Sequence, residues 1–80
     1  IDSLGWALFK LKRYNESKQY LQLAVKLMPD DPVINDHYGD VMWKNKNEIQ
    51  ARYYWNYVLH LKETEESLKV NIKNKLILGL

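Results

Sequence analysis

Leu4, Leu8 and Leu11 recur at steps of four and three, which sets them along one face of an α-helix. A polar break, KRYN at residues 12–15, interrupts the stripe, and it resumes at Tyr14, Ser17, Leu21, Ala24 and Val25. Two helices joined by a tight turn are predicted. The second should stop at Pro29-Asp30-Asp31-Pro32. Pro29 lacks the N–H that would continue it, Asp31 offers a carboxylate to cap the next helix, and Pro32 suits a first turn whose N–H groups have no intrahelical partner. A third helix then runs from about Pro32 to Asn45 and turns at KNKN, residues 44–47. A fourth restarts with Asn47 as its cap and Gln50 three residues on, a variant of the capping box. Thr64, followed by Glu65 and Glu66, starts a fifth, acidic where the helix dipole favours negative charge. The predicted class is all-α, with five helices.

The pattern is written twice. A shift of 34 positions aligns Asp2 with Asp36, Gly5 with Gly39, Lys10 with Lys44, Lys12 with Lys46, Tyr20 with Tyr54 and Leu27 with Leu61. Similar residues fall between them: Leu4 with Tyr38, Leu8 with Met42, Phe9 with Trp43, Ser17 with Ala51, Leu21 with Trp55, and Ala24 with Val58. A helical glycine costs about 1 kcal/mol against alanine. Its return at the same place predicts that the helices approach closely there, with Ser17, Ala51 and Ala24 as the small counterparts on the second helices.

The series LGWALF, Y, S, L, A and P from Leu4 to Pro29, echoed by YG, MW, A, W and V from Tyr38 to Val58, resembles the tetratricopeptide repeat. That family repeats a helix-turn-helix unit with the same step as the shift above. The resemblance covers about 60 residues. It departs from the family pattern at the first aromatic (Ile1 and Asn35), at the turn glycine (Lys12 and Lys46) and at the closing proline (Glu63). It implies a right-handed helical-hairpin solenoid with unit one over 1–31, unit two over 32–63 and a capping helix over 64–80. The runs DSLGWAL and DPVINDHYGDVMW further resemble the end of bacterial multi-repeat proteins. With Ile1 at its head instead of methionine, the stretch reads as part of a longer protein.

The same resemblance implies a non-catalytic scaffold whose first helices line a concave groove that takes a peptide or partner helix. The groove positions are then Asp2, Ser3, Trp6, Phe9 and Lys10 in unit one, Val33, Asp36, His37, Asp40, Trp43 and Lys44 in unit two, and Ser67, Val70, Asn71, Asn74 and Ile77 on the capping helix. Large aromatics in a groove are the usual anchors of a peptide interface, and Trp6 and Trp43 are the strongest candidates; for Phe9 and Trp43 the alternative, filling the space between adjacent first helices, stays equally open. Asp36 and Asp40, one turn apart, should favour a basic or amide-rich ligand. Some relatives clamp a C-terminal carboxylate with Lys, Asn and Arg. The matching places here hold Asp2, Trp6, His37, Ser67 and Asn71, so no such ligand is expected. On the last helix Leu68, Ile72 and Leu76 form one apolar face that should seal unit two. Val70, Ile77 and Leu78 lie elsewhere on it, which gives a second reading: an oligomerisation segment that pairs with another copy through this helix.

The run ARYYWNYVLH, residues 51–60, tests the helical phase. With Ala51 facing its partner helix, Trp55 and Val58 share that face at about 100° per residue. Tyr54 and Leu59 flank it, Tyr53 points to solvent, and Tyr57 has room to pack on the last helix. One or two accessible rings make a poor stacking platform for a nucleic acid, and the 12 basic residues are dispersed among 10 acidic ones. The chain has no cysteine and two well-separated histidines. Asp36, His37 and Asp40 lack a further ligand, so no metal or cofactor is expected, and no catalytic constellation is seen. No apolar run nears the roughly 18 residues of a membrane span. Nothing in these residues chooses between bacterial cytoplasm and cell envelope.

Overall fold

The computed structural model describes residues 2–80, without the side chain of Asp2. Ile1 and that side chain, both part of the sequence reading, therefore lie outside the described part. Five helices follow one another: α1 (Asp2–Lys10), α2 (Tyr14–Leu27), α3 (Pro32–Lys44), α4 (Glu48–Leu59) and α5 (Glu66–Leu78). No strand occurs among the described residues. α1 packs on α2 and α3 on α4, while α2 lies along α3 and α4 along α5. The result is an all-α helical-hairpin solenoid. The repeat step carries Pro32 onto Glu66 and Lys44 onto Leu78, so the last helix occupies the register of a third first-helix.

The turns show why the helices end where they do. The Ile34 N–H donates to Asp31 Oδ1 at 3.0 Å and Pro32 opens α3, as the sequence predicts. Lys12 and Lys46, the two residues in the place of the turn glycine, both adopt left-handed backbone, φ 64° and 70°. Two local expectations are corrected. Asn47 precedes α4 without a side-chain cap; its amide is turned toward Met42 Sδ at 4.0 Å, and the capping box does not form. Thr64 does not cap α5. Its buried hydroxyl donates instead to the Val58 carbonyl at 2.7 Å, which satisfies the end of α4, and α5 begins two residues later at Glu66.

Both repeated glycines sit at close helix approaches. A Cβ on Gly5 would lie 2.8 Å from Leu21 Cγ, and the Ser17 hydroxyl donates to the Gly5 carbonyl at 2.7 Å. A Cβ on Gly39 would lie 2.5 Å from the Trp55 indole and 3.3 Å from the Ala51 carbonyl oxygen. Around these approaches runs one core of Leu21, Tyr38, Val41, Met42, Ala51, Trp55, Val58 and Ile72. Ile72, with Leu68 and Leu76 beside it, carries α5 into this core. The expected stripe on α1 is only partly buried. Leu8 is inside, whereas Leu4 and Leu11 are exposed, because no helix covers that side of α1 among the described residues.

Candidate functional site

The first helices α1 and α3 bring Trp6, Phe9 and His37 together. The Trp6 ring stacks on the His37 imidazole at 3.6 Å between centroids with 4° between planes, and on Phe9 at 4.6 Å with 6°. Phe9 meets the edge of Tyr14 on α2 at 5.3 Å. Three nearly parallel rings thus form a shelf across two helices, each ring only partly buried. Lys10 lies one turn beyond Trp6, and Lys44 two turns beyond His37; both are exposed. Ser3, Val33, Ser67, Val70, Asn71, Asn74, Ile77 and Leu78 are exposed as well.

Asp36 and Asp40 do not face a ligand. Both are buried, and Lys75 of α5 reaches between them, its Nζ 2.8 Å from Asp36 Oδ1 and 2.9 Å from Asp40 Oδ1. Asp40 Oδ1 also accepts the Trp55 indole N–H at 3.1 Å. The carboxylate pair is therefore corrected from a contact for a basic ligand to an internal ion pair. Burial, and secondarily the neighbouring Asp36, push the Asp40 pKa up to about 6 against the opposing pull of Lys75 and the Trp55 N–H. Burial also works against the charge on Lys75, but its two carboxylates outweigh that and hold its pKa above the usual lysine value. These directions agree physically: the lysine answers two anions, whereas Asp40 shares one cation with a like-charged neighbour.

Trp43 is likewise turned to internal work. Its ring stacks on Trp55 at 5.5 Å and Gly79 lies against it, with the Arg52 guanidinium 5.4 Å from its centroid. Arg52 in turn donates to the Leu76 carbonyl at 2.5 Å, tying α4 to the last turn of α5. Trp43 fills the junction, and Trp6 is the tryptophan left on the side where α1 and α3 meet through His37. Along α4 the phase holds: Ala51, Trp55 and Val58 are buried, Tyr54 is half-buried against Tyr38, and Tyr53 is exposed. Tyr57 packs elsewhere than expected, its hydroxyl meeting Asp30 in the 28–31 loop. The exposed His60 takes a 2.8 Å hydrogen bond with the Asn56 carbonyl. No group of three or more His, Asp or Glu suited to a metal ion occurs among the described residues.

Sequence reasoning passed over Lys75 and Arg52. The signal for Lys75 was present: it falls one repeat step after Val41, so a lysine stands where the repeat has a core residue. A cation at a core position calls for a buried anion nearby.

A family model described as tetratricopeptide repeat matches residues 2–31. No curated protein and no solved structure matches the chain.

Proposed function

We propose that the chain binds a peptide or partner helix in its concave groove, since it carries a tetratricopeptide repeat, a unit that mediates protein–protein interaction in a typically non-catalytic scaffold family. The observation that carries this reading is the shelf of Trp6, Phe9 and His37. Parallel rings already stacked on each other are ordered before a ligand arrives, so little side-chain entropy is lost on binding. The occupant is a segment that lays a large apolar side chain on the shelf and turns carboxylates or carbonyls toward Lys10 and Lys44. A basic occupant fits less well, since Asp36 and Asp40 are engaged by Lys75. No helix among the described residues is long and apolar enough to cross a membrane.

The test is pull-down mass spectrometry with the wild type and Trp6→Ala side by side, followed by titration of the captured partner's binding segment. Removing an aromatic anchor should weaken that segment about tenfold or more. Equal capture and equal affinity would remove the shelf from the interface. A second reading is favoured by Val70, Ile77 and Leu78, all strongly exposed on α5: self-association through this helix, with the groove unused. Sedimentation of the wild type beside Ile77→Asp separates the two, because only self-association predicts a concentration-dependent mass that the aspartate abolishes.

A further inference from the structure

Charge is sorted by end along the helices. The Asn45 amide donates to the Tyr14 carbonyl at 3.2 Å and so draws the turns 11–13 and 45–47 together. That end carries Lys10, Lys12, Arg13, Lys44 and Lys46, all exposed, against Glu16 and Glu48. The opposite end, where 28–31 and 60–65 join their helices, carries Asp30, Asp31, Glu63, Glu65 and Glu66 against Lys26 and Lys62. Each end thus sets five charges of one sign against two of the other, with the signs reversed between ends, although the formal charge of the chain is only +2.

Apolar surface accompanies the charge at both ends. Between the two acidic turns lies a cleft of about 310 Å³ lined by Asp31, Pro32, Val33, Glu63, Glu65 and Leu68. Val33 is 49% exposed and Leu68 half-buried, so the cleft has an open apolar floor. Asp31 caps α3, whereas Glu63 and Glu65 are exposed and enter no ion pair among the described residues. At the basic end Ile49 is 86% exposed, three residues after Lys46. Lys12 and Lys46 hold left-handed backbone, a conformation strained for any residue but glycine, and they too enter no ion pair among the described residues. A cation therefore stands at the tip of each turn where glycine would fit with less strain.

Two like ends repel each other and two unlike ends attract, so identical ends do not pair. We propose that the acidic end takes the basic end of a second copy of this chain, with Ile49 of one copy on Val33 and Leu68 of the next and Lys12 and Lys46 facing Glu63 and Glu65. A contact between different patches does not close on two copies; it builds open chains unless the rotation closes a ring. The two ends are small and the charges exposed, so the association is weak and salt-dependent. It uses neither the aromatic shelf with Lys10 and Lys44 nor the Val70, Ile77 and Leu78 face of α5.

The test is sedimentation of the protein over a concentration series, at low salt and at about 1 M salt, where the screening length shrinks to about 3 Å. The average mass should climb above the 9.6 kDa of one chain at low salt and return toward it at high salt. Glu63→Lys/Glu65→Lys and Lys12→Glu/Lys46→Glu should each weaken association about tenfold or more. Mixed together, the two variants should associate, because the first keeps an intact basic end and the second an intact acidic end. Ile49→Asp should weaken association as well, and Ile77→Asp should leave it unchanged. A single-chain mass at every concentration and salt overturns the proposal, as does association that charge reversal spares, that mixing fails to restore, or that Ile77→Asp abolishes. If a charge-reversed variant does not fold, the salt series and Ile49→Asp decide, and association that survives both overturns the proposal.

Discussion

Gly5 lets α1 close on Leu21 and Ser17; Gly39, one repeat later, lets α3 close on Trp55 and Ala51. The geometric need is the same, and the side chains that answer it impose different consequences. Leu21 brings no polar group. Trp55 brings an indole N–H into the interior, where an unpaired donor costs about 1–3 kcal/mol. Asp40 accepts the hydrogen bond from that N–H, its carboxylate needs a counter-charge, and Lys75 supplies it while pairing with Asp36. One repeat step earlier, the place of Asp40 is held by Trp6 on α1 and that of Lys75 by Val41 on α3. One choice of core residue thus divides the floor into an aromatic shelf between α1 and α3 and a buried ion pair between α3 and α5.

The sharpest way to break this contrast is Lys75→Met. It leaves two buried carboxylates without their cation and should destabilise the fold by about 3–5 kcal/mol, a large share of the total for so small a domain. Val41→Met, at the matching place, adds volume to a fully buried site without unpairing a charge and should cost about 1–3 kcal/mol. Urea unfolding of both variants decides, and equal losses would mean the ion pair does no more than a methylene packing would.

Next come the glycines. Gly39→Ala drives a Cβ to 2.5 Å from a rigid, fully buried indole, whereas Gly5→Ala brings one to 2.8 Å from Cγ of Leu21, equally buried but smaller and not a planar ring. After the helix-propensity gain of about 1 kcal/mol, Gly39→Ala should still cost about 1–2 kcal/mol and Gly5→Ala less, about 0–1 kcal/mol. A reversed order of urea midpoints would contradict the packing described.

Between about pH 7 and 4 the difference is smaller and has a definite sign. The Asp40 carboxyl sits at about 6 when folded, against about 4 in an unfolded chain. The folded chain takes up the proton first, so the contribution of this group rises as pH falls through about 6 and levels off below about 4. Asp40→Asn keeps an acceptor for the Trp55 N–H and should flatten that part of the pH profile in thermal unfolding. A profile unchanged by the asparagine would show that Asp40 titrates in its ordinary range.

The smallest effect tests equivalence itself. Lys12 and Lys46 share left-handed backbone, a strain of about 1 kcal/mol that glycine relieves while returning some of it as unfolded-chain entropy. Lys12→Gly and Lys46→Gly should each stabilise by about 0.5 kcal/mol. A gain at one turn only would show that the two turns are not alike.

Much of this was legible in the residues. Periodicity and the repeated step carry the helices, the glycine approaches and the inward face of Trp55, because they depend on neighbours along the chain and on one repeated contact. The Asp31 cap and Pro32 are local in the same sense. The fate of Asp36 and Asp40 was not legible from their own helix: two carboxylates one turn apart look the same whether they face water or a lysine 35 and 39 residues away. The choice for Trp43 between groove and junction was open for a similar reason, since Arg52 and Gly79 come from elements that the repeat pattern does not pair with it. The shelf fared better, because Trp6, Phe9 and His37 lie on two helices whose relative register the echo already specifies.

Lys75 also sets an order of events during biosynthesis. When a ribosome has released only the first four helices, the side of α3 that α5 will cover still faces water, and Asp36 and Asp40 have no Lys75 to pair with. Their shared partner can arrive only once residue 75 has cleared the exit tunnel, so the burial of this pair follows the folding of α3 and α4 instead of accompanying it.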